Sequence, residues 1–216
     1  MKSIVCFGDS NTWGYDPRTG SRFPFALRWT GILQKRLGGA YQVIEEGLCG
    51  RTTVWNDPID QKMSGLDYLL PCLESHSPLD LVIIMLGTND LKKRFSLTAD
   101  DITSGVSTLV RATRESQFQS HLGMTSPKVL VLCPPSIREI GRFAEMFEGG
   151  EAKSEQLADK FTSIARALGA EAGDVTVADA GKVVTVSPGD GVHLNEGEHG
   201  KLGEFVSKIV LRLVPL

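Results

Sequence analysis

Residues 4–12 read Ile-Val-Cys-Phe-Gly-Asp-Ser-Asn-Thr, an apolar run that passes through one glycine into polar residues. Ile4 to Phe7 has the composition of a short buried strand. The polar residues after Gly8 suit the first turn of a helix. Ser10 therefore lies where a strand ends and a helix begins, and this strand–glycine–helix pattern favours an α/β fold.

The rest of the chain repeats the same alternation. Four more apolar runs predict strands: Tyr41 to Ile44, Leu81 to Leu86, Val129 to Cys133 and Val175 to Ala178. Between them, apolar residues recur at helical spacing, most clearly over 157–168 and 202–213. Strands that are apolar on both faces and alternate with helices indicate a parallel sheet covered on both sides. We expect a three-layer α/β/α sandwich with a five-stranded sheet.

Composition narrows the class of protein. The chain has 216 residues, 41% hydrophobic and 23% charged, and no linker divides it, so we expect a single domain over 1–216. Its net charge of −3 argues against a nucleic-acid partner, and the run Lys92-Lys93-Arg94 is typical of solvated surface. The sequence contains two long connections, 51–78 and 134–150. Their apolar residues are expected either to cover the sheet edge or to form a pocket wall or a contact with another subunit.

The apolar runs are shorter than the ~18 residues that span a bilayer, and no signal-type stretch precedes Gly8. We therefore expect a cytoplasmic protein with no membrane partner.

The cysteines are widely spaced, without a histidine at metal-ligand spacing, which predicts no metal and no cofactor. We interpret His76, His121 and His199 as structural.

Polar residues cluster after the predicted strands, where ligands bind in parallel sheets. Ser10 is a candidate nucleophile, and its own N–H can stabilise an oxyanion. Asp190-x-x-His193 supplies a base with an aspartate to orient it, so Ser10, His193 and Asp190 form a candidate catalytic triad. The Gly50 N–H and the Asn89 side chain are further candidate oxyanion donors.

Each of these residues also has a structural interpretation. Ser10 can be a helix cap and Asn89 a turn residue. Asp179, at the end of the last predicted strand, is the rival of Asp190, and Asp9 is interpreted as a turn residue. The combination of nucleophile, base, orienting acid and oxyanion donors at strand ends nevertheless favours an acyl-transfer enzyme over a nucleotide-binding module. The sequence contains no phosphate-binding glycine motif. A non-catalytic scaffold is the other alternative.

Three residues near these positions are candidate substrate-binding residues: Trp13, Tyr15 and Cys49. The alternative for the two rings is that they pack under the loop. Cys49 lies beside Gly50 in a turn-like segment, and a reactive thiol there is a further alternative.

The sequence also resembles the SGNH hydrolases, or GDSL esterases and lipases. The resemblance rests on four blocks: Gly8-Asp9-Ser10-Asn11, the segment around Gly50, Gly87-Thr88-Asn89-Asp90, and Asp190-x-x-His193. Within the family the chain is most similar to the bacterial arylesterase and acyltransferase group. Asn11 stands where the family name has leucine, and Cys49 where a serine is frequent; both are expected to alter the pocket floor.

The resemblance implies a flavodoxin-like sheet in the order 2-1-3-4-5 and metal-free ester hydrolysis by Ser10, His193 and Asp190. It implies Ser10 N–H, Gly50 N–H and Asn89 as oxyanion donors, and a homo-oligomer. The expected activity is that of a serine esterase for small aryl, alkyl or sugar acetates, with water or an alcohol as acyl acceptor. The alternative is a carbohydrate O-deacetylase.

Overall fold

A computed structural model of the chain describes residues 1–61, 64–168 and 174–216. The strands are β1 (Lys2–Gly8), β2 (Tyr41–Gly47), β3 (Leu81–Met85), β4 (Lys128–Cys133) and β5 (Val175–Asp179). The helices are α1 (Ser10–Trp13), α2 (Trp29–Leu37), α3 (Gly65–His76), α4 (Ala99–Glu115), α5 (Gly150–Phe161), α6 (Ile164–Ala167) and α7 (Glu196–Leu213).

All five strands are parallel and lie in the order β2-β1-β3-β4-β5, which confirms the expected α/β sheet and its strand order. The largest difference from the predicted bounds is at β2, which continues three residues beyond Ile44 to Gly47. Glu45 and Glu46 extend this edge strand because each finds partners: Arg28 binds Glu45, and His76 binds Glu46.

Each face of the sheet has its own apolar core. One contains Phe7, Val82 and Ile84 of the strands and is covered by α3, α4 and α5. The other lies under α2 and α7 and contains the fully buried Trp29 and Leu202. The parallel strands are buried on both faces, which explains their continuous apolar sequence.

Two segments differ from the sequence analysis. The connection 51–78 contains helix α3, whose Leu69, Cys72 and Leu73 are spaced to bury one face. The helical pattern over 157–168 is split between α5 and α6, because the Thr162 and Ser163 hydroxyls donate to carbonyls of the last turn of α5. No helix among the described residues has both the length and the apolar content needed to cross a membrane.

Candidate active site

The turn after β1 presents Ser10 at the carboxyl edge of the sheet. Asp9 is the N-cap of α1, and its carboxylate accepts the Asn11 N–H at 2.9 Å. A side chain on Gly8 would approach Thr12 Oγ1 to 2.1 Å, so only glycine lets the strand pass into the helix this closely. Ser10 is thereby held at the start of a helix, with only 6% of its surface exposed.

Ser10, His193 and Asp190 form one hydrogen-bonded chain. His193 Nε2 lies 2.9 Å from Ser10 Oγ, and His193 Nδ1 lies 2.8 Å from Asp190 Oδ2. The other oxygen, Asp190 Oδ1, accepts the N–H groups of Val192 and His193, each at 3.0 Å. This arrangement leaves Nε2 facing the serine hydroxyl, which is the geometry of a base beside a nucleophile.

The Asp190 carboxyl is ionised in this setting. Burial by itself raises its pKa, but the hydrogen bonds from the His193 ring and from the two N–H groups outweigh burial and leave the pKa below its ordinary value. An ionised carboxylate only accepts hydrogen bonds, so the proton of the imidazole is placed on Nδ1. The free lone pair of Nε2 is then able to take the Ser10 proton.

The rival aspartates have other partners. Asp179 accepts the Gly181 N–H at 2.8 Å and caps the turn after β5. Asp9 lies in the turn beside Ser10, where it binds the Asn11 N–H rather than the ring of His193. The turn interpretation of Asp9 thus agrees with its hydrogen bonding.

Ser10, Gly50 and Asn89 line the same cleft. Asn89 Nδ2 donates to the Arg51 carbonyl at 3.1 Å, which uses one of the two N–H groups of the amide. Gly50 has a φ of 82°, a left-handed conformation that glycine adopts without strain. The Arg51 guanidinium fixes this loop from beneath by donating to the Gly8 carbonyl at 2.9 Å.

The cleft has a volume of about 240 Å³. Besides the residues already described, its lining comprises Tyr15, Cys49, Asp60, Lys92, Phe143, Met146, Phe147 and Val192. Three of these belong to the connection 134–150, so this segment contributes a pocket wall. The ring of Tyr15 lies 4.1 Å from the ring of His193 between centroids, and Phe143 lies 5.6 Å away on an edge.

The three predicted substrate-binding residues have different positions. Tyr15 and Cys49 line the cleft, whereas Trp13 does not: the Arg22 guanidinium lies over its ring at 5.0 Å. A role of Trp13 in substrate binding therefore stays a prediction, since its ring contacts Arg22 and does not line this cleft. Burial raises the pKa of the Cys49 thiol to about 11, which keeps it protonated and argues against a reactive thiol.

Asn11 was expected at the pocket floor and instead joins two loops. Its side-chain oxygen accepts the Leu194 N–H at 2.9 Å, and its amide donates to the Val192 carbonyl at 3.2 Å. Asn11 is buried and does not line the cleft. It therefore bonds the backbone on both sides of His193 to the turn that carries Ser10.

Lys92 was expected at the solvated surface and is buried. Its ammonium lies 3.0 Å from Asp57 Oδ2 and 2.6 Å from Asp60 Oδ2. Burial alone raises the pKa of Asp57, but the hydrogen bonds from Lys92 and from the N–H groups of Ile59 and Asp60 lower it to about 2. The ion pair joins the segment 51–78 to the rim of the cleft.

The Asp90 carboxyl, beneath the cleft, is expected to make the stability of the fold depend on pH. It is fully buried and accepts the Thr53 N–H and hydroxyl, and burial raises its pKa from 3.8 to about 6. A raised pKa means that the folded state binds the Asp90 proton more tightly than the unfolded state does. The protonated carboxyl therefore contributes fully to stability well below pH 4, and this contribution is lost as the pH rises through 6. The pKa difference corresponds to about 3 kcal/mol.

We expect the free energy of unfolding of the parent chain, relative to Asp90→Asn, to fall by about 2 kcal/mol from pH 4 to pH 7, because part of the effect lies below pH 4. Urea titrations at several pH values measure it. Asp101→Asn is the control, since hydrogen bonds from Thr98 lower the pKa of Asp101 and its titration lies below this window. A constant gap between the parent and Asp90→Asn would contradict the prediction.

Comparison with known proteins agrees with this geometry. The model of the GDSL-like lipase/acylhydrolase family matches residues 6–199. A comparison with curated proteins gives no match. Among solved structures, the native aryl esterase of M. smegmatis is similar at 41% identity and a TM-score of 0.92, over 99% of this chain and 100% of that one.

Two structures from Sinorhizobium meliloti are also similar. Est24, a carbohydrate acetylesterase, is 38% identical with a TM-score of 0.90, over 99% of this chain and 100% of its own. A carbohydrate acetylesterase family member is 36% identical with a TM-score of 0.93, over the full length of both chains. With the family model covering most of its length, this chain belongs to the GDSL-like lipase/acylhydrolase family.

Proposed function

We propose that this chain is a serine esterase for small, short-acyl esters and that it acts through an acyl-enzyme. The observation that carries the proposal is the hydrogen-bonded chain Ser10–His193–Asp190 at the wall of a small cleft. Membership of an acylhydrolase family supports the reaction class. We assign Ser10 as the nucleophile, His193 as the general base and Asp190 as the residue that orients the base.

In the first half of the reaction, Ser10 Oγ attacks the ester carbonyl while His193 Nε2 takes the hydroxyl proton. The carbonyl oxygen becomes negatively charged, and we assign the N–H groups of Ser10, Gly50 and the Asn89 side chain to stabilise it. His193 then returns the proton to the departing alcohol. The products of this half are a free alcohol and an acyl group bonded to Ser10.

In the second half, water or another alcohol attacks the acyl-enzyme with His193 again as base. Hydrolysis releases a carboxylic acid, and attack by an alcohol gives a new ester. Both outcomes use the same residues, so their ratio depends on which acceptor reaches the acyl group in the cleft.

Cleft size supports short acyl groups. Its volume of about 240 Å³ is below the ~300–1,000 Å³ typical of sites for drug-sized ligands. Phe143, Met146 and Phe147 give it an apolar wall beside His193. An acetyl group fits such a space with less rearrangement than an octanoyl chain.

A carbohydrate O-deacetylase is the second candidate, and two observations favour keeping it. Two similar structures are described as carbohydrate acetylesterases. The rim of the cleft also carries the partly exposed Asp60 carboxylate, which can accept a hydrogen bond from a sugar hydroxyl. A single domain over 1–216 and a homo-oligomer remain part of the proposal.

The test is hydrolysis of p-nitrophenyl acetate, butyrate and octanoate by the parent chain and Ser10→Ala, with a chelator present. We expect rapid turnover of acetate, slow turnover of octanoate and no turnover by Ser10→Ala above background. Acetylated sugars, assayed by acetate release, separate the two candidates. Equal rates for the parent and Ser10→Ala would contradict the serine mechanism.

Asn89→Ala is expected to lower kcat by about 10²–10³-fold with little change in KM, because the oxyanion forms only after attack. Steady-state kinetics on p-nitrophenyl acetate measures both constants. Asn89→Asp is the matched variant: it keeps the size of the side chain but removes its donor, so its kcat should fall similarly. Full activity of Asn89→Asp would contradict the assignment of Asn89 as an oxyanion donor.

A further inference from the structure

A second group of reactive side chains lies between the edge strand β2 and helix α3. The ligand atoms of Glu46, Cys72 and His76 all lie within 4.8 Å of one another. His76 Nε2 is 2.7 Å from Glu46 Oε1. None of these three residues lines the cleft at Ser10.

Sequence spacing brings two of these residues together, and the fold adds the third. Cys72 and His76 are four residues apart on α3, so they share one face of that helix. Glu46 lies two residues after Ile44 on β2 and therefore on the same face of the sheet, which packs against the core under α3. Glu46 and His76 are 30 residues apart in the chain.

We propose that Glu46, Cys72 and His76 bind one zinc ion, with a fourth position open to water. Thiolate, imidazole and carboxylate are the three ligand types that zinc takes in proteins, and a thiolate disfavours magnesium and calcium. Zinc bonds of ~2.0–2.3 Å place such ligand atoms roughly 3–4 Å apart, which these side chains reach by small rotations.

The three side chains supply one carboxylate, one imidazole and one thiol, and the thiol gives up its proton when it binds a metal ion. The positive charge of Arg51 reaches Glu46 and Cys72 and opposes a cation at this place. The two negative charges of the Glu46 carboxylate and the Cys72 thiolate outnumber that single positive charge.

Access to the site is from one side only. The side chain of His76 is 31% exposed and that of Glu46 18% exposed, so an ion in solution reaches both. Cys72 is fully buried and closes the inner end. An ion held here is thus anchored to the core on one side and hydrated on the other.

The experiment is equilibrium binding of Zn²⁺ to the full chain in competition with a chromogenic chelator. We expect one ion per chain, and at least about 100-fold weaker binding by Cys72→Ser and by His76→Gln, since even the loss of an outer-shell partner costs 10–100-fold. The matched controls are Cys49→Ser, which removes the thiol in the cleft, and His121→Gln, which removes an exposed histidine. Both controls should bind like the parent.

Cobalt gives a second readout, which reports on the thiolate ligand directly. Co²⁺ bound by the parent chain should show a thiolate-to-cobalt charge-transfer band, and His76→Gln, altered at a partly exposed position, should weaken it. The proposal is overturned by the lack of one-to-one zinc binding, by binding that Cys72→Ser and His76→Gln leave unchanged, or by a cobalt complex without the thiolate band.

Discussion

Ser10→Ala is expected to lower kcat for ester hydrolysis by about 10⁴–10⁶-fold, and the double variant Ser10→Ala/His193→Ala to be barely worse than either single variant. The physical reason is that the two side chains act as one unit. His193 Nε2 has no serine proton to take when Ser10 is absent, and Ser10 Oγ has no base at 2.9 Å when His193 is absent.

Rates of p-nitrophenyl acetate hydrolysis, corrected for the background, measure this double-mutant cycle. Ser104→Ala is the control, because Ser104 lies exposed on α4 and outside the cleft. A phosphonate that labels serine nucleophiles should modify the parent chain and Ser104→Ala but not Ser10→Ala. Additive losses in the double variant would show that the two residues act separately.

Asp190→Asn is expected to lower kcat by about 10³–10⁴-fold while the fold is retained. An asparagine oxygen still accepts the N–H groups of Val192 and His193, so the loop keeps both backbone hydrogen bonds. Its amide N–H would face His193 Nδ1 in place of the second carboxylate oxygen. The imidazole proton is then favoured on Nε2, where it prevents the ring from accepting the serine proton.

The matched control is Asp179→Asn, which changes the rival carboxylate. Its asparagine oxygen preserves the acceptor for the Gly181 N–H, so activity should stay at the parent level. Circular dichroism and thermal melting establish that both variants fold. Loss of activity in Asp179→Asn with retention in Asp190→Asn would reverse the assignment of the orienting acid.

The sheet could be predicted because its strands are buried on both faces. Continuous apolar runs such as Leu81–Met85 are typical of parallel sheets, and the polar residues that follow them mark the carboxyl edge. The Ser10 turn and the Asp190-x-x-His193 loop could be proposed from sequence for a different reason. Their geometry depends on neighbours close in sequence, as the hydrogen bonds from Val192 and His193 to Asp190 show.

Contacts between distant segments could not be predicted in this way. Lys92 stands in a run of charges, and only the return of Asp57 and Asp60 from another loop makes its burial possible. The role of Asn11 could not be predicted from its neighbours in the sequence, since its hydrogen-bond partners are more than 180 residues away.

The bonds of Asn11 to the backbone beside His193 also determine when the site is assembled during synthesis. Ser10 and His193 are separated by 183 residues. At ribosomal rates of ~5–20 residues per second, the histidine is made about 10–40 s after the serine. On the proposed mechanism, the nascent chain therefore carries a nucleophile without a base, and ester cleavage begins only when the loop before α7 has left the ribosome and docked on Asn11.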